Sequence, residues 1–344
     1  MYNGARPTRS SNPDLRWETS EQLDIGFDAG FFGNKIFLTA DYFSKTTIDL
    51  ITDGTPPLYT GNPAPKINAG NIRNSGVEFD LNYNNAIGDF RYSVTFNTSY
   101  VKNEVKKLTE DIKELIGASV GVGQGNVNKF EEGYPAWYFW GYKTDGVFHS
   151  TEEILADTSE SGALYHPSAI PGDVKFMDID GVDSLGNLTG KPDGRIDEND
   201  KTLLGQPYPK WMFGLNINLA YKGFDLSMLW DARTGNSVYN GMYRMDLARN
   251  NKPQRFWDER WDYMNPEADN GWFRPVTNDR NRNYRPSDLF VEDGSFLKLR
   301  QLMLGYTLPV SLTERISISS LRFYVSADNP VSYTHLTLPT KRIV

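Results

Sequence analysis

The sequence predicts an all-β fold, part of a large antiparallel transmembrane β-barrel. Three observations carry this. Apolar and polar residues alternate over runs long enough to cross a membrane. The runs come in pairs joined by tight-turn residues. The connections between pairs are far longer than the turns within them.

The first pair sets Leu23, Ile25, Phe27, Ala29 and Phe31 against Gln22, Asp24 and Asp28. It turns at Gly33-Asn34 and continues with Ile36, Leu38, Ala40 and Tyr42 against Thr39 and Asp41. The second sets Val77, Phe79, Leu81 and Tyr83 against Glu78, Asp80 and Asn82. A turn over Asn84-Asn85 to Gly88-Asp89 leads into Phe90, Tyr92, Val94, Phe96, Thr98 and Tyr100. The third runs from Trp211 to Tyr221, turns at Lys222-Gly223 and returns through Phe224, Leu226, Met228 and Trp230. The fourth joins Phe296–Leu308 to Ile316–Asp328 around Pro309. That makes about eight strands. A strand of ~11 residues rises about 36 Å, and a tilt of ~45° leaves about 25 Å, the height of an outer-membrane apolar band. Soluble strands usually run to only ~5–6 residues. Eight strands alone would enclose no more than their own side chains, out of scale with the connections 102–209 and 232–294. An open sheet would leave edges that lipid does not tolerate. These strands therefore read as part of a larger wall.

Composition agrees and narrows the class. The 344 residues include 13% aromatics and no Cys, which excludes a disulfide framework and thiolate chemistry. Mean hydropathy is negative, and no run approaches a membrane helix, an exclusion that does not touch barrels. A net charge of −8 with no basic stripe argues against nucleic acid. No leader pattern follows Met1.

Asn12-Pro13-Asp14-Leu15-Arg16-Trp17-Glu18, running into the first strand, closely resembles the opening of a late barrel segment in the SusC/RagA family of TonB-dependent outer-membrane transporters. Gly133-Tyr134-Pro135 followed by Gly141–Phe148, Gly172–Phe176, Tyr221–Leu226, and Ser295–Arg300 with Leu304–Pro309 resemble further family stretches in the same order, over about residues 4–329. The resemblance implies a C-terminal piece of a barrel of ~22 strands, without the plug domain, TonB box and signal peptide. It implies import of oligosaccharides or peptides, a SusD-like surface lipoprotein as partner, the TonB complex engaged through the missing N-terminal part, and a place in outer-membrane lipid. A siderophore or cobalamin receptor, and a soluble calcium-dependent carbohydrate-binding β-protein, are the alternatives. After residue 329 nothing resembles the family, so residues 330–344 are expected to be a non-native tail.

Two loop stretches carry candidate sites. Asp178-Ile179-Asp180-Gly181 begins like an EF-hand-type loop and resumes at Asp193-Gly194-Arg195-Ile196-Asp197-Glu198-Asn199-Asp200 once Val182–Pro192 is removed. Asp178, Asp180, Asp193, Asp197, Asp200 and the Arg195 carbonyl could then supply oxygens to Ca2+. The other reading is a solvated acidic turn packed by Ile196. Trp137, Tyr138, Trp140 and Tyr142 form either a stacking platform for sugar rings or peptide side chains, or an aromatic wedge against the rim. The run Phe256, Trp257, Trp261, Tyr263, Trp272 and Phe273 reads as a packed loop core, with direct substrate contact as the alternative. No enzyme is expected. His149 and His166 lack a nucleophile or metal pattern, His335 sits in the tail, and Gly121–Gly125 lacks the Lys and helix start of a phosphate cradle.

Overall fold

The computed structural model describes residues 11–54, 65–109, 112–117, 119–120, 124–185, 187–242, 254–264 and 271–334. His335, Gly121–Gly123 and the rest of the tail from 335 lie outside them, as does the side chain of Phe256.

Eight long strands form one antiparallel sheet in which each strand pairs with its neighbours in the chain. They are β1 (Thr19–Phe31), β2 (Ile36–Ile48), β3 (Gly70–Ile87), β4 (Phe90–Leu108), β5 (Trp211–Tyr221), β6 (Phe224–Thr234), β7 (Phe296–Thr307) and β8 (Arg322–Thr334). Among the described residues β1 and β8 do not pair with each other, so the sheet is open. The register carries the alternation across strands. Phe27, Ala40, Phe79, Thr98 and Phe213 stand in one row, while Asp28, Thr39, Asp80 and Asn97 stand in the next, on the opposite face. Phe27 is 59% exposed and Ile25 62%, so no protein covers the apolar face. On β4 that face runs from Phe90 to Tyr100, a rise of about 33 Å, or about 23 Å after a ~45° tilt. Above it Glu104 pairs with Lys102 and Lys106, both at 2.6 Å. Aromatics mark both margins: Tyr100 lies 4.9 Å from Trp211 at one, and Phe224 4.4 Å from Tyr306 at the other.

The turns are built from left-handed residues, which match the twist of the strands they join. Lys222 and Gly223 have φ of 47° and 88°. Two sequence expectations change. Asn84 and Asn85 are strand, because Asn85 still pairs with Tyr92 and Ile87 with Phe90, leaving Gly88-Asp89 as the turn. The last strand starts at Arg322 rather than Ile316. Val310–Thr313 and Glu314–Ile316 form helical turns after Pro309, and Arg322 is the first residue to meet β7, at Thr307. Past a bulge at Asn329, Val331–Thr334 pair with Phe296–Leu299, so strand pairing continues beyond residue 329.

Connections 49–69, 109–210 and 235–295 all leave the rim opposite the short turns. They hold the buried core.

Candidate functional site

The two longest loops fold as one body above the rim. Tyr142, Val147, Val174 and Phe176 of the first interleave with Trp261, Trp272, Phe273, Tyr284 and Phe290 of the second. A buried polar spine fastens them. Asp173 Oδ1 accepts from Arg274 Nε at 2.8 Å and from Asn283 Nδ2 at 3.0 Å. The Val174 amide donates to Asn283 Oδ1 at 2.8 Å, and Asn281 Nδ2 donates to the Val174 carbonyl at 2.9 Å. Thr144 Oγ1 donates to Asp288 Oδ1 at 2.6 Å. Gly172 has φ +88°, and a Cβ there would lie 2.4 Å from the Trp261 ring. The stretch Gly172–Phe176 is thus a fastening between loops. Its partners Arg274, Asn281 and Asn283 lie about a hundred residues away, where no local pattern singles them out.

The aromatic run divides. Residues Tyr138–Tyr142 form an inner strand of a small sheet, between Lys201–Gly205 and Asn128–Glu131. This position hides Tyr138 (2% exposed) and Tyr142 (4%), so neither ring is open to a ligand, contrary to the platform expectation. Burial pushes the Tyr138 phenol far up, helped by Glu131, whose Oε2 accepts its hydroxyl at 2.7 Å. The Arg285 guanidinium stacks 4.9 Å from Tyr142 and 3.9 Å from Phe176. Half-buried Trp140 carries the Lys201 and Lys129 ammonium groups at 4.4 and 4.9 Å. In the second loop Trp261, Trp272 and Phe273 are core, as expected, whereas Trp257 and Tyr263 are exposed.

Trp137 differs from its neighbours. Held at φ +54°, it packs on Phe130 and lines a cavity of about 570 Å³ where the loops meet the inner wall. Tyr208, Gln206, Asn74, Asn103 and Arg233 share that cavity. Asn103 bonds both the wall and the loop: its Nδ2 donates to Asn74 Oδ1, and its Oδ1 accepts the Ala136 amide, each at 2.7 Å. The wall amides Asn74 and Asn103 escaped the sequence reading because single polar residues on an alternating strand look like any hydrated wall, and Tyr208 because it stands in a bend outside any period. Below lies a second cavity of about 640 Å³, with Asp41, Glu78 and Asp80 on one side and Arg233 and Arg300 on the other. Arg300 is already engaged with Asp231 at 3.0 Å.

The two halves of the interrupted acidic loop meet. Val182–Pro192 loops out as a small hairpin in which Val182 bridges Leu188 and the Thr189 amide donates to the Gly181 carbonyl at 2.9 Å. Gly181 is thereby brought against Asp193. Asp178 accepts from the Asp193 and Gly194 amides, Asp193 from Arg195, and Asp197 from Asn199. Asp180 Oδ1 accepts from Gly181, Thr189 and Gly190. Buried Asp200 takes the Ile179, Asp180 and Asp197 amides. Burial pushes its pKa up against the pull of those amides. The donors are the oxygen type calcium prefers. Among the described residues, however, no three acidic or histidine side chains converge as a metal-holding group, and backbone amides take much of the carboxylate capacity.

Membrane-height amphipathic strands, tight turns at one rim and a packed loop body at the other define a transmembrane barrel wall. Residues 1–329 match the family described as TonB dependent receptor-like, beta-barrel, and the chain belongs to that family of outer-membrane proteins. It is 30% identical over 337 residues to TonB-dependent receptor P3 of Formosa agariphila, covering 97% of this chain and 31% of that protein. It is 25% identical over 337 residues to TonB-dependent receptor SusC of Bacteroides thetaiotaomicron, covering 96% and 30%. Its fold matches the solved structure of the RagAB peptide transporter with a TM-score of 0.72 at 22% identity, over 94% of this chain and 32% of that one. The chain spans about a third of the length of the curated relatives it matches. The expected family, barrel fold and outer-membrane location all hold.

Proposed function

We propose that this barrel segment belongs to an importer of oligosaccharides or peptides that works with a SusD-like surface lipoprotein and draws energy from TonB. No residue is given a catalytic role. One observation supports the import reading above the others: the cavity at the loop–wall junction. Its aromatic rings, Trp137 and Tyr208, stand beside amide groups of Asn74, Asn103 and Gln206, a combination suited to a neutral, hydroxyl- or amide-rich solute. The test is uptake of labelled oligosaccharides and peptides by cells carrying the full-length transporter and its neighbouring lipoprotein. A Trp137→Ala/Tyr208→Ala variant that still assembles is expected to lose at least tenfold in uptake of one of the two classes. Undiminished uptake of both overturns the reading.

The acidic loop supports a second, structural proposal. Asp178, Asp180, Asp193, Asp197, Asp200 and the Arg195 carbonyl follow the EF-hand register across a hairpin whose ends meet, and Asp180, Asp193 and Asp197 make their amide bonds through one oxygen each. Weak calcium binding, in the 10⁻⁴–10⁻³ M range of extracellular modules, would further order the loop. Calorimetry on the full-length protein is expected to show binding heat that Asp193→Ala and Asp197→Ala remove. Heat absent from the parent, or unchanged in both variants, rejects the ion.

A further inference from the structure

The outer face of the wall carries a second kind of cavity, at the rim of short turns. It measures about 500 Å³ and is lined by Phe32, Lys35, Ile36, Leu81, Tyr83 and Asn85. Ile36 pairs with Tyr83 across β2 and β3, and Leu81 with Leu38, so the floor belongs to the uncovered apolar face. Polar groups gather only at its turn end. There the Tyr83 and Tyr92 hydroxyls lie 3.1 Å apart, and Asn85 Nδ2 reaches Tyr92 Oη at 3.1 Å and Tyr83 Oη at 3.4 Å. Asn85 donates to both phenols, and one phenol donates to the other. The arithmetic leaves one phenolic hydrogen directed away from the pair. Lys35 supplies a cation beside them, its backbone fixed by the Asn84 amide, which donates to the Lys35 carbonyl at 2.8 Å. Phe32, 78% exposed at a left-handed turn position, stands at the edge as an aromatic anchor.

We propose that this cleft binds one glycerophospholipid of the leaflet at the short-turn rim, its phosphate held by Lys35 and the Tyr83–Tyr92–Asn85 cluster and an acyl chain lying on Ile36 and Leu81. Each part of the cleft meets the matching part of such a lipid. A cation and the one free phenolic hydrogen face an anionic head group at the interface, with the Asn85 amide holding the two phenols in place. A strip of β-branched and leucine side chains runs from there toward the middle of the apolar band. Free phosphate would leave that strip unused, and a neutral detergent would leave Lys35 unused. Tight turns mark the periplasmic side of outer-membrane barrels, where the leaflet is glycerophospholipid.

Native mass spectrometry of the full-length transporter, released from detergent in the presence of phosphatidylglycerol, tests this directly. The wild type is expected to retain one phospholipid. Lys35→Glu and Tyr92→Phe should each lower that retention at least fivefold, the second removing a single oxygen and leaving the ring in place. Heat-modifiable mobility checks that each variant still forms a barrel. Lys222→Glu, at the Lys222-Gly223 turn where the ammonium lies 5.3 Å from the Tyr221 ring, serves as the control and should leave retention unchanged. Equal retention in wild type, Lys35→Glu and Tyr92→Phe overturns the site. So does an equal loss in Lys222→Glu, which would make the effect a general property of rim charge.

Discussion

The wall and the loop body solve the same problem in opposite directions. In the wall the large apolar side chains Ile25, Phe27 and Phe79 are exposed on the outer face, and polar residues such as Asp41, Glu78 and Asp80 share the opposite one. In the loop body Phe130, Phe148, Phe273 and Phe290 are fully enclosed, and charged residues cover the outside or pair within, as in a soluble domain. One chain therefore answers to two solvents. The wall takes its stability from lipid and from a hydrogen-bond ladder that runs through all eight strands, the loops from a conventional core. A substitution should thus have different consequences on either side of the rim.

The largest effect is expected at the fastening between the loops. Asp173→Ala strands Arg274 and removes an acceptor from Asn283, and should destabilise the loop body by about 3 kcal/mol, the low end for a buried pair because Arg274 keeps part of its surface in water. Hydrogen exchange should then rise over residues 144–176 and 272–290 while the barrel keeps its heat-modifiable mobility. Loss of both together would mean that wall and loops are one cooperative unit. Next comes a pair of arginines placed one residue apart. Phe79→Arg, near mid-membrane on the outer face, should cost about 2–4 kcal/mol in denaturant unfolding from lipid, whereas Asp80→Arg on the inner face should stay within about 0.5 kcal/mol. Equal costs would remove the distinction between the faces.

The smallest effect concerns pH. His166 is buried in the loop body. Its Nδ1 lies 2.8 Å from Asp157 Oδ2, and its Nε2 accepts the Phe176 amide at 2.9 Å. That arrangement requires the neutral ring. Burial lowers its pKa below the ordinary 6.5, Asp157 opposes the shift, and Arg285 and Lys175 add to it. Above the unfolded pKa both states are neutral and the full stability is present. As pH falls below about 6.5 through the lowered folded value, the unfolded chain takes up the proton first and stability is lost. Protection of the Phe176 amide should fall in that window, and a His166→Gln variant should flatten the slope. An unchanged slope would assign the effect to another group.

What the sequence revealed follows the same division. Strand number, pairing and the lipid-facing set were legible because alternation and turn residues are local signals, each read within about ten residues. The start of the last strand was misplaced because Ile316-Ser317-Ile318 alternates like a strand while Pro309 launches helical turns. The loop body was legible only as composition. Its contacts, such as Asp173 with Asn283, join residues that neither period nor spacing relates. For the same reason the run from Trp137 to Tyr142 read either as a platform or as a wedge against the rim, and the burial of Tyr138 and Tyr142 fits the wedge. Their burial is set by strands from both sides of the loop, while Trp137 of the run lines a cavity at the wall.

The hairpin of residues 182–192 leaves the acidic loop at Gly181 and rejoins it at Asp193, which stand against each other, ahead of the strand Lys201–Gly205. For the gene this means that extra codons can enter at such a junction without shifting the register of any membrane strand. The entropy of closing a loop rises by only about 0.6 kcal/mol for each doubling of its length. Variation at the cell surface and constancy in the membrane can then be inherited separately, so a lineage can acquire new outward-facing shapes while its path through the lipid stays as it was.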